Sequence, residues 1–174
     1  LILWLVVIYN RLVALRQVVG QSWADIEVQL KQRHDLIPNL VETVKGYAAH
    51  ERGTLDAVVQ ARNAAVAARG PEAASAAEGR LSGALGRLFA LSEAYPDLKA
   101  NTNFLGLQEE LSAVEGKIAA ARRFFNNAVA EFNAAIQSIP AVFFAGSLGF
   151  TGRGFFELDA AERAAVQAPP RVTF

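Results

Sequence analysis

Cysteine is absent from this 174-residue sequence, which excludes disulfides, thiolate metal sites and cysteine nucleophiles. Methionine is absent as well. Translation starts with methionine, so the natural start is expected upstream of Leu1. Histidine is scarce, with His34 and His50 alone. An excess of either charge is also missing: 17 Lys and Arg face 17 Asp and Glu, and the balance holds in each stretch of the chain. With no basic patch or acidic tail, the simplest case for a nucleic-acid partner falls away. Charged residues are few, 20% against 52% hydrophobic. That composition excludes a disordered chain and directs attention to a membrane. The length suits one domain.

What is present begins with an uncharged run, Leu1 to Tyr9, followed by Asn10 and Arg11. A membrane-spanning helix needs about 20 apolar residues, so residues 1–10 read as the C-terminal part of a transmembrane anchor. Tyr9 and Arg11 then stand at the lipid–water boundary, which favours aromatic and basic side chains. Beyond them Ile8, Leu12, Leu15, Val19, Trp23, Ile26 and Leu30 recur at spacings of three and four. This single helical stripe predicts a first helix continuous with the anchor. Asp35 is expected to cap a second helix with Pro38 in its first turn, running to about Arg69. Gly70-Pro71 reads as a break, followed by a third helix through Leu81, Leu85, Leu88 and Leu91 to about Tyr95-Pro96. The fourth starts near Asn101 or Thr102 and carries Leu107, Leu111, Val114, Ile118, Phe125, Val129, Phe132 and Ile136 until Pro140 ends it. The expected fold is all-α: an antiparallel up-down bundle of four long helices over residues 11–139. Residues 140–174 form an apolar, Phe-rich extension near the membrane end.

Residues 29–51 resemble the signature of the LemA family, with His34, Asp35, Leu36, Pro38, Asn39, Glu42, Lys45, Gly46, Tyr47, His50 and Glu51 in place. The likeness extends to Tyr9, Asn10, Arg11, Trp23, Ala61-Arg62, the run from Tyr95 to Asn101, Leu107 to Leu111, and the closing Val172-Thr173-Phe174. It implies a bacterial, membrane-anchored bundle of long helices with no established enzymatic activity and no cofactor. It also implies partners: some relatives are proposed to work beside a membrane-bound zinc protease, and one lineage serves magnetosome membranes. Phe125-Asn126 and Phe132-Asn133 stand where the family often has Tyr-Asn pairs, which weakens any tyrosine chemistry there.

No motif adds a reaction. His50-Glu51 begins like the H-E-x-x-H metalloprotease helix, but Thr54 occupies the position of the second ligand. His34-Asp35 could pair a base with an orienting acid, although a capping Asp35 beside a locally bonded His34 explains it more simply. The glycines at 146, 149, 152 and 154 lack the strand that phosphate loops require. Glu42 and Lys45 share a helix face as a surface pair. Asn126, Asn127 and Asn133 lie in or beside the apolar stripe, where polar groups can fix oligomeric state; they are the candidates for self-association.

The function expected is a membrane-anchored helical scaffold or adaptor that self-associates and assists membrane-protein quality control. The alternative is an oligomer that shapes the lipid surface. By the positive-inside rule Arg11 and Arg16 lean toward a cytoplasmic bundle on a bacterial inner membrane. The up-down count returns Pro140 to the anchor. Phe143, Phe144, Phe150, Phe155 and Phe156, five of eleven phenylalanines, are therefore expected at the lipid interface or a neighbouring subunit, rather than in the bundle core.

Overall fold

A computed structural model describes residues 1–157 and is all-helical apart from turns and an extended C-terminal stretch. The first helix, α1, runs Ile2–Lys45 without a break, about 66 Å at 1.5 Å per residue. A turn over residues 46–51 leads to α2 (Arg52–Ala67), and Gly70, at a φ of +81°, turns the chain into α3 (Gly70–Ser92). A four-residue α4 (Pro96–Lys99) precedes α5 (Thr102–Gln137). The Asn101 side chain caps α5 by accepting from the Phe104 N–H at 3.0 Å. The four long helices alternate in direction. Trp23 meets Phe125 at the proximal end, while Tyr47 meets Asn101 and Glu51 meets Tyr95 at the distal end.

Two boundaries differ from those the sequence suggested. Asp35 does not cap a second helix; it lies inside α1 and pairs with Lys31 on the surface. Pro38 also lies inside α1. A mid-helix proline deprives the carbonyl four residues earlier of its donor, and here that carbonyl belongs to His34. Arg62 of α2 replaces the donor, its Nε giving a hydrogen bond to the His34 carbonyl at 3.3 Å. The helix therefore passes through Pro38, and the distal turn falls at Gly46–Glu51 instead of around His34–Asn39. The second difference is α3, which starts at Gly70. Pro71 occupies its first turn, where no donor is lost. Ala74 and Ala77 are buried there.

The interior has two apolar regions. The proximal one packs Leu12, Val19 and Ile26 of α1 against Phe125, Val129 and Phe132 of α5; the distal one gathers Ile37, Leu40, Val58, Leu81, Leu88 and Phe104 from all four long helices. Between them lies a charged layer. Arg33 donates to Glu78 at 3.1 Å, Ser82 at 2.7 Å and Glu115 at 3.1 Å, so one side chain of α1 reaches α3 and α5. His34 Nε2 donates to the other oxygen of Glu78. The Arg33 and Glu78 side chains are only 5% and 7% exposed. Removing one partner from such a buried pair costs about 3–5 kcal/mol, so this layer locks helix register.

The proximal half has too few helices to close itself, because α2 ends at Ala67. The chain after α5 fills the gap. Two short 3-10 turns, Ala141–Phe143 and Gly146–Leu148, cap the end. Gly149, at a φ of +81°, then redirects the backbone along α5. Asn126 and Asn133 hold this returning strap by their side-chain amides. Asn133 accepts from the Arg153 N–H at 2.9 Å and donates to its carbonyl at 3.1 Å; Asn126 does the same for Phe156 at 3.0 and 2.9 Å. Further along, the Glu157 N–H donates to Ser75 of α3 at 3.0 Å.

Arg62→Met should destabilise the protein in urea by about 1–2 kcal/mol by leaving a buried carbonyl unpaired. In a Pro38→Ala background, which restores the intrahelical donor, the same change should cost measurably less. Equal costs in both backgrounds would show that Arg62 acts elsewhere.

Asn126→Ala should leave both Phe156 backbone groups without partners, costing about 1–3 kcal/mol. Amide exchange at Phe156 should accelerate while the oligomeric state stays unchanged. Loss of assembly without faster exchange would instead give Asn126 an intersubunit role.

Candidate membrane interface

The signature residues cluster around the charged layer and the distal turn. His34 is buried against Glu78, and its carbonyl is bound by Arg62. Leu36 packs between the two apolar regions. The Asn39 carbonyl accepts from Thr43. Tyr47 Oη accepts from the capping residue Asn101 at 2.8 Å, and Tyr95 donates to the Glu51 carboxylate at 3.2 Å. Burial, then the hydrogen bond and negative charge of Glu51, raise the Tyr95 phenol above its ordinary pKa of 10.0. Folding favours the neutral phenol, so its contribution is full below the ordinary value and fades as pH rises through the raised one. Pro38, Glu42, Lys45, Gly46 and His50 are exposed. Glu42 and Lys45 form no ion pair with each other, and among the described residues no group of three His, Asp or Glu side chains could hold a metal. The signature thus describes how α1 turns into α2 and how α5 begins.

The opposite end has a different character. Leu1, Ile2 and Leu3 are 95%, 79% and 82% exposed, and Trp4, Val6, Val7 and Tyr9 are exposed too. An 18-residue window of α1 has a mean hydropathy of 1.6 and is only 11% buried. This helix is long and apolar enough to cross a membrane, and the protein leaves that segment uncovered. It fits a single-pass anchor.

The five phenylalanines after α5 divide. Phe150 and Phe156 are 3% exposed and belong to the proximal core, so the interfacial role expected for them is corrected. Phe150 packs edge-on against Tyr9 at 5.6 Å with Arg16 4.9 Å above its ring, and Phe156 meets Trp23 at 5.6 Å. The physical reason is the strap. It carries both rings into the space between α1 and α5, where each buried side chain is worth about 1.5–3 kcal/mol. Phe144 is half-buried on the same core. Phe143 and Phe155 face outward, with Ile139, Val142 and Leu148 beside Phe143 on the cap. Asn126 and Asn133, expected at a subunit contact, spend their amides on the strap; Asn127 is exposed. Residues 158–174, including Val172, Thr173 and Phe174, lie outside the described residues.

The chain is 26% identical to the magnetosome protein MamQ of Magnetospirillum gryphiswaldense over 85% of its own length and 64% of the relative's. Two further relatives, the magnetosome proteins MamQ 1 and MamQ 2 of Paramagnetospirillum magneticum, are each 25% identical over 86% of this chain and 64% of theirs. The chain therefore spans a little under two thirds of the curated relatives it matches. The LemA family profile matches residues 22–174, from the proximal part of α1 through the strap and beyond; the chain belongs to the LemA family.

Proposed function

We propose that this protein is a non-catalytic scaffold, held in a bacterial inner membrane by the N-terminal end of α1, that self-associates and presents its distal helical surface to other membrane proteins. One observation carries the reading. The exposed apolar segment and the bundle share a single helix, Ile2–Lys45, so the bundle is held upright and at fixed height above the bilayer. The bonds of the interior suit a structural role: Arg33 and His34 of α1 both bind Glu78 of α3, tying helices together. Arg11 and Arg16 immediately beyond the anchor favour a cytoplasmic bundle.

A second reading, membrane shaping, draws on the exposed cap. Ile139, Val142, Phe143 and Leu148 add apolar surface beside the anchor, and many such caps in one leaflet would wedge it. Reconstitution of the full chain into liposomes separates the two. Cross-linking with mass analysis should give discrete oligomers, and electron microscopy should show round vesicles. Tubulated or constricted vesicles would transfer the function to membrane shaping. A monomer at every protein-to-lipid ratio would overturn self-association.

A further inference from the structure

The cap at the proximal end has a surface that nothing in the bundle explains. Ile139 is 80% exposed, Phe143 77%, Leu148 48% and Val142 47%. Their neighbours Ala141 and Ala145 are buried, so the cap is anchored on its inner side and apolar on its outer side. Large apolar patches left in water are uncommon on monomeric proteins and mark contact sites. The height of this patch is set by the structure: the strap leaving the cap places Phe150 against Tyr9, the residue at which the exposed apolar run of α1 ends. No charged side chain occurs between Glu131 and Arg153.

Charge appears immediately beyond that level, and its sign is uneven. Arg11 and Arg153 are exposed, and Arg16 sits over Phe150. The acidic groups on the neighbouring elements are Glu131 of α5, Glu72, which approaches Gly154, and Glu157 at the far end of the strap. On α1 the first carboxylate is Asp25, about 21 Å beyond Arg11 along the helix. That distance exceeds the screening length in physiological salt, about 8 Å. An uncharged apolar ring with arginines above it matches the profile of a bilayer, where acyl chains give way to phosphates.

We propose that residues 139–148 form a second membrane contact, lying in the interfacial region of an anionic leaflet beside the anchor, with Arg11, Arg16 and Arg153 meeting lipid phosphates. The inference rests on the anchoring reading and adds a partner chemistry to it. The membrane is gripped at two points, which fixes the rotation of the bundle about α1 as well as its depth. A lone anchor helix leaves that rotation free.

These 174 residues hold no cysteine, so a thiol introduced among them has no competitor within the sequence. Single-cysteine variants of the full chain, Leu3→Cys, Phe143→Cys and Ala49→Cys, are labelled with an environment-sensitive fluorophore. Each is reconstituted in phosphatidylcholine vesicles with or without phosphatidylglycerol and containing nitroxide-bearing lipid. The expected result is blue-shifted emission at 143 and several-fold stronger quenching there than at 49, approaching that at 3. Arg11→Gln with Arg153→Gln, or omission of phosphatidylglycerol, should reduce the quenching at 143 and leave that at 3 unchanged. Quenching at 3 with none at 143 overturns this inference alone. A blue shift at 143 without lipid quenching also overturns it, since a second copy of the chain then covers the cap. Quenching at 143 that ignores both arginines and lipid charge overturns the anionic assignment. No quenching at 3 would instead sink the anchoring reading beneath it.

Discussion

The continuity of α1 is the constraint on which the architecture depends: α5 and α2 pack along it, and α3 packs on α2. The helix meets lipid-compatible surroundings at one end, a helix pair with a returning strap in its middle, and a four-helix bundle at the other. It continues through Pro38, where Arg62 supplies the donor that the orphaned His34 carbonyl lacks. The charged layer immediately before that point serves the same end. Arg33 and His34 tie α1 to Glu78 of α3 and, through Arg33, to Glu115 of α5. Helices that slid by one turn would leave these groups buried and unpaired, at a cost of several kcal/mol.

The family signature and the proposed membrane contacts divide the molecule by position. His34, Pro38, Tyr47 and Glu51 belong to the distal half, where they fix the turn between α1 and α2 and the start of α5. The proximal half relies on the chain's own C-terminal stretch. Here the geometry of two backbones coincides. Asn126 and Asn133 are seven residues apart on a helix, about 10 Å, and the Arg153 and Phe156 backbones they hold are three residues apart in extended chain, also about 10 Å. Two side-chain amides therefore pair in register with the extended backbone, beside the buried Phe150 and Phe156 rings and the bond to Ser75.

The helical stripes were legible in part. The spacing from Ile8 to Leu30 predicts the continuity of α1 from the apolar run to Leu30, and α5 begins at Thr102, where a start near Asn101 or Thr102 is expected. What misled was a local rule overruled at long range. Pro38 after Asp35 reads as a helix start, and nothing nearby in sequence reveals that Arg62 replaces the missing donor. The start of α3 was obscured because its buried contacts are made by Ala74 and Ala77, residues equally common on exposed faces. The fate of the phenylalanines was beyond sequence for a related reason. Phe150 and Phe156 are covered and Phe143 is not because Gly149 and the two asparagines steer the strap, and those bonds span 20 and 30 positions.

The most direct test of this account is the length of α1 in the membrane. Nitroxide labels on Leu3→Cys and Lys45→Cys, both exposed, can be placed in the reconstituted protein and their separation read by pulsed electron resonance. A continuous helix gives a narrow distribution centred near about 63 Å. A helix that ended before Asp35 and folded back would bring the labels to roughly half that separation, and a loop between anchor and bundle would broaden the distribution. Either result would contradict the single rigid helix from which the rest of the structure is argued.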